Sequence, residues 1–288
     1  MVRGFKLINE KGQEYSLMDI KNYCLLTEPT GLGFSYNTEY ERLGYTFVQK
    51  VRNLEQGQIP ARLNFLNYDN YRKLINYIQN SEELKLQYKV PYKNGEKEYL
   101  RDIDINIVTK TEIQTNGVIS EDVTINCLSL WYEEKNAVYS LDASDENVLR
   151  WDFEWDSRFA DYDVSNLSLI NEGHVQAPIL IELDGRIVNP RFELWVDGQK
   201  YQTVTFNVII DEYEKLLYGT KEGEFYVKKQ NTDGTVEDLY MYYDDYVLNF
   251  SNDNVIRIPK NKSCELKIIA DSEVQKAKIT MFIYYIAV

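Results

Sequence analysis

Few residues of this 288-residue chain have both the chemistry and the company to make a catalytic centre. His174 is the only histidine, within NEGHVQAPILIELDGRIVNPRF, Asn171 to Phe192. A nucleophile–histidine–acid site would have to be built on it alone, and a zinc site would need cysteines and acids gathered around it. It follows Gly173 and precedes an apolar run, so the expected place for it is a turn. WDFEWDSRFADYD, Trp151 to Asp163, offers the densest carboxylates. On an extended strand Asp152, Glu154 and Asp156 would point one way and Trp151, Phe153 and Trp155 the other. Such a row could hold Ca²⁺ or supply the acid and base of a glycosidase. It equally describes a strand with a buried aromatic face and a solvated acidic one, countered by Arg150 and Arg158, and that reading is preferred. Gly31-Leu32-Gly33 in EPTGLGFSYN lacks the third glycine and the following helix of a dinucleotide loop, so it reads as a loop. Cys24, Cys127 and Cys264 are odd in number and widely spaced, which suits a reducing compartment and no metal set. The expected site list is therefore short, with no catalytic, cofactor-binding or metal-binding residues. What stands out instead is a run of aromatics in a polar surround, Tyr36, Tyr40, Tyr45 and Phe47, which suits a strand, a core or a contact between subunits.

The elements that would carry these residues are announced mainly by turns. Asn94-Gly95, Asn116-Gly117, Asp184-Gly185, Asp197-Gly198 and Asp233-Gly234 tolerate the positive φ of tight hairpin turns. ELWVDGQKYQTVTF is the clearest hairpin. DINIVTKTEIQTNGVISEDVTINCLSL follows, with Ile103, Ile105 and Ile107 alternating before the turn and Val123, Ile125 and Cys127 after it. VRGFKLINEKGQEYSL reads as another. One segment has helical period: Tyr71, Leu74, Ile75 and Ile78 share a face, and Asn67 or Asp69 can cap its start, giving a helix at about 68–82. The expected class is mainly β with that single helix.

Composition limits the partners. Asp and Glu (46) outnumber Lys and Arg (32), for a net charge of −14, which disfavours binding to nucleic acid or to an anionic membrane. Tyrosine is unusually frequent at 24 residues, a bias toward half-buried strands and protein-contacting surfaces. The start, MVRGFKLINEKGQ, lacks the apolar core of a secretory leader. The acidic excess grows after the polar stretch near residues 140 to 150, and two β domains in series, 1–145 and 146–288, are expected.

Asn171, Gly173, Pro178, Ile181, Gly185, Asn189 and Pro190 give N-x-G, P-x-x-I, G and NP within one strand-turn-strand unit. This pattern resembles the opening of the second domain in the distal tail proteins of long-tailed, non-contractile bacteriophages. The initial hairpin GFKLINEKG, the glycine-bearing loop, the helix after NFLNYDNY and a closing hairpin ending at INCLSLWY look like that family's amino-terminal domain. The resemblance implies a structural virion protein, not an enzyme. It implies a homo-hexameric ring at the tail tip, assembled in the bacterial host cytoplasm. Such a ring contacts the tail tube protein on one side and the tail-associated tip protein on the other, with receptor-binding or baseplate proteins attached and DNA passing through its lumen without specific binding. It further implies a ring-forming amino-terminal domain, a carboxy-terminal galectin-like β-sandwich, no cofactor and no membrane association. The galectin-like analogy raises an alternative, a carbohydrate-binding module for host cell-wall sugars. His174 is followed by Val175 and Gln176, however, and Trp195 has no accompanying arginine pattern, so a galectin-type polar set is absent.

Overall fold

In the computed structural model the described residues are 4–20, 24–93, 95–107, 117–140, 163–239, 255–272 and 276–288. Among them the chain is mainly β with one helix, as the turn chemistry and alternation imply. Two compact units divide it. The first holds Met1–Glu133 with Tyr285–Val288, and the second holds Glu134–Tyr284.

The first unit opens with β1 (Gly4–Asn9), β2 (Glu14–Ser16), β3 (Met18–Asp19) and β4 (Cys24–Thr27). A separate hairpin follows, β5 (Tyr36–Leu43) and β6 (Thr46–Leu54), and then β7 (Gln58–Phe65), helix α1 (Tyr68–Gln79), β8 (Leu84–Tyr92), β9 (Gly95–Ile107), β10 (Ile119–Cys127) and β11 (Trp131–Ser140). β4, β7, β10, β9, β8, β1 and β2 lie side by side in that order, antiparallel. The register puts Ile125 beside both Ile59 and Ile105, and Leu7 beside Leu86. The alternation read in Val123, Ile125 and Cys127 is therefore an inward row, and all three are buried. The tip of the β9–β10 hairpin, 108–116, lies outside the described residues.

Helix α1 starts where Asn67 accepts the backbone N–H of Asn70 on its Oδ1 at 3.0 Å. It turns Leu74 fully inward and sets Tyr71 edge-on to Phe65, with ring centroids 5.6 Å apart. It stops at Gln79 rather than 82. The Asn80 N–H donates to the Asn76 carbonyl and the Ser81 N–H to the Ile78 carbonyl, and the Ser81 hydroxyl donates to the Tyr77 carbonyl at 2.7 Å.

The second unit comprises the latter part of β11, then β12 (Asp163–Ile170), β13 (Ala177–Asp184), β14 (Ile187–Val188), β15 (Arg191–Val196), β16 (Gln199–Thr205), β17 (Ile209–Ile210) and β18 (Lys215–Gly219). β19 (Tyr226–Gln230), β20 (Val236–Asp238), β21 (Arg257–Ile258), β22 (Ser263–Ile269) and β23 (Lys276–Tyr285) complete it. One sheet runs β12-β22-β15-β16, and another runs β23-β13-β18-β19-β20. Their inner faces meet through Phe192 of β15 and Tyr218 of β18, 5.4 Å apart, with Phe206 within 5.7 Å of both. The Asp197-Gly198 turn joins β15 to β16 with φ of 50° and 80°, the left-handed pair that a tight hairpin requires.

Candidate functional site

The aromatics Tyr36, Tyr40, Tyr45 and Phe47 all lie on the β5–β6 hairpin, which pairs with no other described strand. Its turn is Leu43-Gly44-Tyr45-Thr46. Gly44 takes φ +64°, and the Thr46 hydroxyl donates to the Leu43 carbonyl at 3.0 Å. Tyr45 is 99% exposed, Phe47 70% and Tyr40 64%, and Leu43, Val48, Val51 and Leu54 are also exposed. Tyr36 alone is half-buried: the Arg52 guanidinium lies 3.9 Å above its ring, and Phe34 meets it edge-on. The hairpin is thus an arm with apolar side chains in solvent on both faces. A monomeric protein rarely leaves such a surface uncovered.

The root of the arm is fixed. Ser35 and Glu55, at the two ends, are joined by Glu55 N–H to Ser35 carbonyl at 3.0 Å and Ser35 hydroxyl to Glu55 carboxylate at 2.6 Å. The Gln56 amide donates to the Cys127 carbonyl, and the Cys127 N–H donates to the Gly57 carbonyl. The glycine loop before the arm is a loop for a steric reason. At Gly31, φ is +74°, and a Cβ there would sit 2.0 Å from the Gln58 carbonyl oxygen. Beneath the root, buried Arg101 donates through Nε to the Ser129 carbonyl at 2.7 Å and lies over Trp131 at 5.0 Å. Burial lowers its pKa.

His174 is exposed, and its backbone N–H donates to the Tyr284 carbonyl at 2.8 Å. Its neighbours carry the structural weight. Asn171 is fully buried; its amide donates to the Val175 and Ile258 carbonyls at 2.8 and 2.9 Å, and its Oδ1 accepts the Gly173 N–H at 2.9 Å. A Cβ on Gly173 would fall 2.6 Å from the Tyr284 carbonyl. Asp152, Glu154 and Asp156 lie outside the described residues, and no group of three or more potential metal ligands occurs among those described.

Trp195, on the outer face of the four-stranded sheet, is already engaged. Its indole N–H donates to Glu193 at 3.1 Å, and the Lys267 and Lys200 ammoniums stand 4.6 and 5.7 Å from its ring. Glu193 is buried, accepts from Lys200 at 2.7 Å and lies 3.2 Å from Arg191. Burial alone would raise its pKa. Hydrogen bonds from Lys200 and Trp195 and the charges of Lys200 and Arg191 outweigh that and leave it below the ordinary value. No helix among the described residues is long and apolar enough to cross a membrane.

No curated protein sequence matches the chain. Across its full length it is similar in fold to a chain of the phage P2 baseplate in its activated conformation with Ca, at a TM-score of 0.69, 16% identity and 100% coverage of both chains. The phage p2 baseplate with Sr gives 0.68 at the same identity and coverage. The SPP1 Dit protein, described as a paradigm of hub adsorption apparatus in Gram-positive infecting phages, gives 0.56 at 10% identity, over 96% of this chain and 98% of that one. Residues 4–128 match the family model described as the distal tail protein, N-terminal domain. Residues 4–128 are therefore a distal tail protein N-terminal domain.

Proposed function

We propose that this protein is a hub of a bacteriophage tail tip. In this reading copies of the chain close into a hexameric ring. The ring joins the tail tube protein to the tail-associated tip protein and carries receptor-binding or baseplate proteins, and the genome passes through its lumen. The role is structural and involves no reaction. The observation that carries it is the arm, standing on a domain of the distal tail protein family with its apolar side chains uncovered. Contacts between unlike patches of one subunit type generate a ring when the rotation closes, and an exposed apolar arm supplies one such patch. Tyr36, Tyr40, Tyr45 and Phe47 are the proposed interface, extended by Leu43, Val48, Val51 and Leu54. Residues 1–145 would form the ring, and residues 146–288 would project from it as a galectin-like sandwich. The full-length likeness to baseplate and hub chains supports this arrangement.

Light scattering of the purified protein over a range of concentrations tests the reading. The subunit mass is 34.0 kDa, and the expected species lies near six times that. A protein that stayed monomeric at every concentration, and also after mixing with tail tube protein, would refute the ring.

A further inference from the structure

The register of the arm sorts its side chains into two unlike faces. Residues directly opposite in an antiparallel pair share a face, and faces alternate along each strand. Tyr36 with Leu54, Thr38 with Arg52, Tyr40 with Gln49 and Arg42 with Phe47 make one face. Asn37 with Asn53, Glu39 with Val51, Glu41 with Val48 and Leu43 with Thr46 make the other. The register shift between Glu39 and Tyr40 falls at Lys50, which has no opposite residue. Among the paired residues the first face therefore carries every aromatic ring and two positive charges. The second carries three aliphatic side chains and two negative charges. Arg52 is already set over Tyr36 at 3.9 Å, and Arg42 Nε holds the Gly44 carbonyl at 2.8 Å, so the cationic face is partly ordered before any partner arrives.

A face laid on its own kind would set arginine against arginine or glutamate against glutamate. The two kinds complement each other in charge, and planar guanidinium groups pair well with carboxylates. We propose that the arms of successive copies stack front to back, the arginine-aromatic face of one on the glutamate-aliphatic face of the next. The occupant of each arm face is thus the arm of a second copy. Front-to-back stacking is directional, as a ring contact must be and a two-fold contact is not. Sheets packed face to face lie about 10 Å apart, within the reach of interleaved Arg and Glu side chains. This inference rests on the ring reading and adds the surface and the polarity of its contact.

Charge reversal tests it. E39R/E41R leaves both faces basic, and R42E/R52E leaves both acidic. All four side chains are exposed, so circular dichroism and melting temperature are expected to match the parent protein. Each variant alone is expected to need more than about tenfold higher concentration to assemble, because every stacked face now meets like charge. An equimolar mixture is expected to assemble again, since basic and acidic arms can alternate around a ring with an even number of members. Assembly of the parent protein with both variants assembling equally well would overturn the stacking and leave the ring intact. Failure of the mixture, with the parent assembling, would also overturn it. A parent protein that never assembles removes the ring reading, and the stacking falls with it.

Discussion

At Asn171 three backbone groups depend on one side chain, and at Gly173 there is no room for a methyl group. Asn171→Ala leaves two carbonyls and one N–H unpaired in a buried place, a loss of about 3 kcal/mol at the usual cost of abandoned buried partners. Gly173→Ala forces the Tyr284 backbone aside and is expected to cost about 1–3 kcal/mol, as overpacking does. Denaturant titration of the two variants beside His174→Ala separates them: the histidine change should shift stability by less than about 0.5 kcal/mol, the range of ordinary surface substitutions. His174 is the segment's most conspicuous side chain, yet the weight lies in residues whose importance is steric and hydrogen-bonded, which the residue type alone does not reveal. Glu193 sets a pH dependence. Its folded-state pKa is depressed, so its contribution is fully present above the unfolded value near 4.5 and is lost as pH falls through the lower folded value. Acid unfolding of Glu193→Gln should therefore lose part of the destabilisation seen below about pH 4.5 while matching the parent's pH dependence at neutrality. The three cysteines are buried, and burial pushes the Cys24 thiol up to about 12 and raises Cys127 and Cys264 as well. A thiol reagent at pH 8 is expected to leave the native protein unlabelled and to modify all three on unfolding; labelling of the folded chain would contradict the burial.

Elements were legible where their turns have a chemical signature. Asp197-Gly198 and Asp233-Gly234 join paired strands, and the strands flanking the Asn94-Gly95 and Asn116-Gly117 pairs also lie side by side, Asn94 and Asn116 themselves being outside the described residues. Asp184-Gly185 does not: β13 pairs with β18, β21 and β23, and the chain beyond that glycine pairs instead with β17. A turn dipeptide fixes the local backbone and leaves open which strand comes alongside. The arm is the opposite case. Its bend, Leu43-Gly44-Tyr45, carries no Asn-Gly or Asp-Gly, and apolar residues occur on both its faces, so alternation pointed to no buried side. Tyr40, Tyr45 and Phe47 were recognisable as unusual aromatics in polar company. Leu43, Val48, Val51 and Leu54 were not, because an aliphatic residue on a strand ordinarily means core. Since Ser35 and Glu55 already hold hands across the root, replacing 36–54 with a short glycine turn should change stability by less than about 0.5 kcal/mol. The same variant is expected to stay monomeric in light scattering where the parent assembles. A shortened protein that still formed the full-mass species would remove the arm from the contact. At the helix, Asn67→Ala should cost about 1 kcal/mol in thermal unfolding, the usual worth of an N-cap side chain.

For the whole molecule the governing quantity is charge. Forty-six acids against thirty-two bases leave −14 on each copy, and the proposed ring would repeat that charge around its channel. Affinity for duplex DNA grows with each phosphate neutralised by Lys or Arg, through the counterions released. A wall that let a genome slide through, as the proposed ring would, needs few such contacts, and a strongly acidic subunit would suit it. Arg42 and Arg52, two of the three cations of the arm beside Lys50, would be occupied by glutamates of the next copy if the arms stack, which takes them out of reach of phosphates. The expected outcome is that assembled protein leaves the fluorescence anisotropy of a labelled duplex unchanged at about 0.15 M salt, with at most weak binding when salt is lowered about threefold, since non-specific affinity rises steeply in that direction. Repeating the titration with E39R/E41R supplies the contrast: four units of charge more positive per copy, with arms unable to stack among themselves, it should bind the same duplex measurably at low salt and release it as salt rises. Tight, salt-resistant retention by the parent ring would mean that its cations gather on a surface the DNA can reach, and a passage for the genome would then need a different wall.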